Sequence, residues 1–165
     1  MKHQWVSKVV IAVIVCALSL AAVAPVQAAT IFDPAVPTSA PGKVIYISIA
    51  KQHMWAYENG KQLYSFVVST GISTRPTKPG NFRVQSRIPV AWSNIWQLSM
   101  PNWLGIYNVG TVENGIHSLP INRRGVKLWA GLLGRPASFG CIILNDANSK
   151  KLYAWANIGT VVIIR

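Results

Sequence analysis

The feature that most constrains this chain is "HMWAYENGKQLYSFVVST", residues 53–70: two apolar runs separated by Asn59-Gly60. Both central residues of a tight type I′ turn need positive φ, which Asn and Gly adopt most readily, so the stretch predicts a β-hairpin. Its surroundings repeat the message. "KVIYISIA" (43–50) is β-branched and alternating, "NFRVQSRI" follows the loop "TRPTKPG" (74–80), and "GTVVIIR" (159–165) closes the chain. "NDANSKKLYAWAN" (145–157) is the one clear helix, with Asn145 or Asp146 as its cap and Leu152, Trp155 and Ala156 on one face. Residues 89–110 carry Trp and Pro and predict irregular segments with short strands. "VENGIHSL" (112–119) has a second Asn-Gly ahead of a short strand, and "INRRGVKLWAGLLGRP" (121–136) reads as a glycine-broken loop with at most a helical turn. The fold expected is mainly β, a sandwich with a short helix packed on it.

The chain has 165 residues, 51% of them hydrophobic, which suits one domain with a substantial core. It starts with a basic head (Lys2, Lys8), an apolar stretch from Val9 to Ala24, then Pro25 and small residues. That order predicts a secretory signal peptide over residues 1–28, with an uncleaved membrane anchor as the alternative. Residues 29–42 are rich in Pro and small polar residues and read as a linker; the compact domain is expected over 43–165. Sixteen Lys and Arg face four Asp and Glu, a formal net charge of +12. Such a surplus favours an anionic partner. The charges are scattered and no recognition-helix, zinc-finger or RNA-binding motif is present, so an anionic membrane or an anionic cell-envelope polymer is expected rather than nucleic acid.

Polar catalytic residues are scarce, so elimination is effective. Without the signal peptide the chain keeps His53, His117, Asp33, Glu58, Glu113, Asp146 and a single cysteine, Cys141. No His-Glu-x-x-His or paired-Cys motif exists to hold zinc, and no other cofactor motif appears. Glycoside hydrolysis needs two placed carboxylates; Asp33 lies in the linker, Asp146 reads as a cap and Glu58 flanks a turn. Cys with His remains. A thiolate is the nucleophilic form, and a nearby imidazole can supply it. Cys141 is therefore either a nucleophile with His117 as its base or a small buried hydrophobe. Gly140, just before it, lets the backbone approach a substrate and leaves the Gly140 and Cys141 amides to face an oxyanion. Ser138 shapes the turn before Cys141.

Several segments together resemble one family. "GIHSLP", a loop, then "ASFGCIILNDANSKKLYAWANIGTVVIIR" is similar to the end of the bacterial L,D-transpeptidase (YkuD-type) catalytic domain. "TRPTKPGNFRV" resembles its TP-x-G-x-F segment and "MPNWLGIY" its MP-W segment, so the likeness spans about residues 43–165 in the family's order. The resemblance implies a sandwich fold and a cysteine acyltransferase without cofactor or metal. Cys141 would attack a peptidoglycan stem tetrapeptide, expel its terminal D-alanine and pass the acyl group to an amine of another stem, giving a 3-3 cross-link. His117 would be the proton donor and acceptor, Ser118 would orient it through its backbone carbonyl, and the Gly140 and Cys141 amides would form the oxyanion hole. A thiolate–imidazolium pair and inhibition by carbapenem-type β-lactams are expected with it. An L,D-carboxypeptidase, with water as acceptor, and a wall-associated binding protein of the same fold are the competing readings.

The chain also departs from the family pattern. Phe139 stands where the family has His before Gly-Cys, Ile143 where many members have Arg, and the loop from His117 to Ser138 is longer than usual. Ser138, Phe139 and Ile143 are expected at the substrate. Phe139 cannot donate a hydrogen bond and Ile143 cannot pair with a carboxylate, so Arg123, Arg124 or Arg135 is expected to supply the positive charge.

Overall fold

The computed structural model describes residues 42–165. The signal peptide read over 1–28 and nearly all of the linker read over 29–42 lie outside the described residues. Twelve elements follow in chain order: β1 (Lys43–Ser48), β2 (His53–Glu58), β3 (Lys61–Val67), β4 (Gly80–Arg83), β5 (Ser86–Ser93), β6 (Leu98–Val109), β7 (Val112–Ser118), β8 (Ile121–Asn122), a 3₁₀ turn (Ala130–Leu132), β9 (Ile142–Leu144), α1 (Asp146–Trp155) and β10 (Val161–Ile164). They form two sheets, β3-β2-β1-β10-β4 and β5-β6-β7-β9, with β8 paired to β6.

The hairpin forms as its sequence predicts: Asn59 and Gly60 have φ of 49° and 78°, and Glu58 faces Lys61 across the turn. β1 then runs antiparallel to β2 and parallel to β10, Val44 facing Val161. Ile45 and Ile47 from β1, Leu104 and Ile106 from β6, Ile142 and Leu144 from β9, and Leu152 from α1 meet in one core between the sheets. Helix α1 starts where expected. The Asn145 side chain accepts from the Asn148 amide at 2.8 Å, taking one of the donors that a helix start leaves unbonded.

Two local expectations need correction. Residues 89–110 are not irregular: they lie mainly in two long antiparallel strands, β5 and β6. Pro89 is tolerated because β5 is an edge strand. Pro101 falls between the part of β6 paired with β8 (Leu98 and Ser99) and the part paired with β7 (from Leu104), where a missing N–H costs little. Asn114-Gly115 is likewise no turn; it lies inside β7. A Cβ on Gly115 would come within 2.6 Å of the Leu104 carbonyl and 2.9 Å of the Trp103 ring. The glycine is there for close packing.

Candidate active site

β7 and β9 are neighbours and run parallel, pairing Ile116 with Ile142 and His117 with Ile143. The pairing brings together two segments more than twenty residues apart in sequence. His117 sits near the end of β7, and Cys141 immediately precedes β9. Both line one cavity of about 520 Å³, together with Asn114, Ser138 and Phe139. β5 and the turn after it supply much of the remaining wall, including Val90, Trp92 and Trp96.

His117 is held on two sides. His117 Nδ1 lies 2.6 Å from the Ser118 carbonyl oxygen. A carbonyl only accepts, so Nδ1 carries the proton and Nε2 of the neutral ring is left as the acceptor. Trp103 stacks on the imidazole at 5.6 Å with 19° between the planes, and its own Nε1 donates to Glu113 Oε2 at 3.0 Å. The Ser118 hydroxyl donates to Asp146 at the start of α1, and Lys127 pairs with the same carboxylate. Burial opposes ionisation of Asp146, but the bonds from Lys127 and Ser118 outweigh it and hold the carboxyl below its ordinary value.

The turn that carries Cys141 is equally constrained. Gly140 has φ of 118°, a conformation that side-chain-bearing residues rarely adopt. Its carbonyl accepts from Thr77 Oγ1 at 2.9 Å and from the Tyr107 hydroxyl at 3.1 Å. Ser138 Oγ donates to the Cys141 carbonyl at 2.5 Å and accepts the Gly140 amide at 3.1 Å. That last bond corrects the sequence reading: the Gly140 amide is engaged by Ser138 and does not face the cavity as a spare donor. The Cys141 thiol donates to Asn114 Oδ1 at 3.3 Å.

Burial favours the uncharged form of both His117 and Cys141. Burial lowers the His117 pKa to about 4, against a smaller upward push from its bond to the Ser118 carbonyl. Burial raises the Cys141 pKa to about 11; a backbone hydrogen bond from Gly115 lowers it somewhat, and the charge of Glu113 raises it. Both shifts favour thiol and imidazole near neutral pH over the thiolate–imidazolium pair expected from the sequence.

The residue-by-residue outcome is mixed. Cys141, His117, Ser138 and Phe139 meet at the cavity. Ser118 is buried, and its carbonyl oxygen bonds His117. Ile143 does not line the cavity: it is fully enclosed, with its backbone bonded in both directions to Ser69. Arg123 and Arg124 lie in the exposed turn after β8, and Arg135 lies in the exposed segment after the 3₁₀ turn; none of them is in the cavity wall. Asn114, Thr77 and Tyr107 were not picked out from sequence. Asn114 sits beside a glycine that signals a turn, and the roles of Thr77 and Tyr107 depend on contacts 63 and 33 residues away in the chain.

The family model of the L,D-transpeptidase catalytic domain (YkuD) matches residues 42–164. The chain belongs to this family. Solved L,D-transpeptidases share the two-sheet fold. One from Mycobacterium smegmatis is 20% identical, with a TM-score of 0.63 over 74% of this chain and 58% of that one. One from Stackebrandtia nassauensis is 26% identical, with a TM-score of 0.60 over 75% and 55%. L,D-transpeptidase 3 from Mycobacterium tuberculosis, solved with a faropenem-derived adduct, is 21% identical, with a TM-score of 0.62 over 76% and 61%. The chain thus spans less than two thirds of the length of these L,D-transpeptidases. No curated protein matches it significantly.

Proposed function

We propose that this L,D-transpeptidase family member is an exported cysteine acyltransferase acting on peptidoglycan stem peptides, with Cys141 as nucleophile and His117 as base. The observation that carries the reading is the shared cavity in which Cys141 and His117 meet, with the imidazole fixed in the tautomer that leaves Nε2 as acceptor. In the first half-reaction Cys141 Sγ bonds to the carbonyl carbon of the stem's third residue as the thiol proton moves to His117 Nε2. The Cys141 amide faces the oxyanion, since Gly140 has given its amide to Ser138. Collapse breaks the C–N bond, and the departing D-alanine amine takes the proton back from His117. In the second half-reaction an amine of another stem attacks the thioester. His117 accepts its proton and returns it to the leaving sulfur.

A neutral starting pair makes transfer of the thiol proton part of the attack itself. The enclosed imidazole is free to accept at neutral pH, because it stays unprotonated there, but its low pKa makes it a weak base until a substrate changes its surroundings. The basic head and apolar run at the start of the chain support export, and the surplus of Lys and Arg over Asp and Glu in the remaining chain supports retention among anionic envelope polymers. Whether an amine or water resolves the acyl-enzyme decides between transpeptidase and carboxypeptidase, and the products of turnover distinguish them.

The test is intact mass after incubation with a carbapenem or a stem tetrapeptide. A covalent adduct is expected on the native protein and none on Cys141→Ala. A folded native sample that forms no adduct with any donor would leave the wall-binding reading in its place.

A further inference from the structure

Beyond Phe139 and Asn114 lies a second cavity of about 460 Å³, also lined by Thr74, Arg75, Pro76 and Trp96. Phe139, Asn114 and Trp96 belong to both cavities, so the two adjoin at the nucleophile turn. We propose that this second cavity is a subsite for a free carboxylate of the peptide seated at Cys141, and that Arg75 is the cation that reads it.

Three observations converge. First, Arg75 is pre-placed: its guanidinium lies over the Trp96 ring at 4.4 Å and over the Phe139 ring at 5.0 Å, and these two rings are themselves 4.4 Å apart. Trp129 braces Phe139 from another side at 5.7 Å. Contact of this kind uses the faces of the guanidinium and leaves its in-plane N–H fork for a planar anion. Second, Arg75 has no acidic partner among the described residues, because the acids are committed elsewhere. Glu58 accepts from Trp155, Glu113 from Gln85, Ser86 and Trp103, and Asp146 from Ser118 and Lys127. Third, no other arginine lines either cavity.

The arrangement gives Phe139 a purpose. At this position an aromatic ring seats the guanidinium, so the chain gains an oriented cation where it lacks a hydrogen-bond donor. It also relocates the positive charge that the sequence reading sought at Arg123, Arg124 or Arg135. The choice of a stem peptide as ligand rests on the acyl-transfer reading; the assignment of Arg75 to a carboxylate does not.

The test uses the full chain carrying Cys141→Ala, titrated calorimetrically at low salt with a stem tetrapeptide. One arm has all its carboxylates free and the other has them amidated. The free acid is expected to bind roughly tenfold more tightly, the worth of one charge-assisted bond. Adding Arg75→Gln should abolish that preference, Arg75→Lys should retain part of it, and Arg124→Gln should leave it intact. Arg75 is exposed, so these variants should keep the parent melting temperature. Equal affinity for acid and amide, binding of neither, or a preference that survives Arg75→Gln would overturn the proposal. An acid preference that depends on Arg75, alongside a native protein that forms no thioester with the same peptide, would sink the acyl-transfer reading and leave the subsite standing.

Discussion

Strands β1 and β5 are both apolar, yet they end in opposite surroundings. In β1, Val44, Ile45, Tyr46 and Ile47 are each at most 3% exposed. In β5, Ile88, Val90 and Trp92 are 41%, 56% and 46% exposed. Position in the sheet accounts for the difference. β1 is central, flanked by β2 and β10, and its inward residues fill the space between the sheets. β5 is an edge strand paired only with β6, and Ile88, Val90 and Trp92, spaced two apart, share one face along the cavity. An apolar face left in water adds little to stability and is suited to a ligand. The first region holds the fold together; the second is available for binding.

The largest test of this contrast is Ile45→Ala. It should cost about 2–5 kcal/mol of stability, read from the urea midpoint, because it empties a fully buried site. A similar magnitude hangs on pH at His117. The folded imidazole titrates near 4 and an unfolded one near 6.5, so between these values the unfolded state binds more protons. Stability should therefore rise with pH through that window, by roughly 3 kcal/mol in all, and His117→Gln should flatten the slope. Acylation should hold through that window and fall only near pH 4, where the folded imidazole takes up its proton. The thiol points the other way: Cys141 alkylation should keep accelerating from pH 9 toward 11, and a plateau near neutral pH would restore the thiolate–imidazolium pair. The smallest effect on stability belongs to the cavity wall. Trp92→Ala should change stability by only about 0.5 kcal/mol, yet weaken acylation by a stem peptide several-fold. A large loss of stability there would erase the distinction between the two strands.

Much of the first region was legible in the sequence, because its signals are local. Asn59-Gly60 set the hairpin, Asn145 set the helix start, and β-branched runs marked β1 and β10. Cys141 and His117 were singled out by elimination and by family resemblance, and both line the cavity. What stayed hidden depends on distant partners. Pro89 and Pro101 look like strand breakers until the edge position of β5 and the gap in the partners of β6 are known. Gly115 looks like a turn residue until Trp103 is seen to pack against it. Arg75 looks like part of a loop until Trp96, 21 positions on, and Phe139, 64 positions on, are found beside it.

The double hold on the Gly140 carbonyl has a consequence for how such a protein changes over generations. Thr77 and Tyr107 fix the turn that carries the sulfur, while the rings and aliphatic groups facing it come largely from β5 and the turn after it. The turn and the apolar wall are thus inherited largely on separate stretches of chain, with Arg75 and Phe139 lying on the turn's side of that division. Substitutions along the edge strand can reshape that wall, generation by generation, while the turn beneath it keeps the same address.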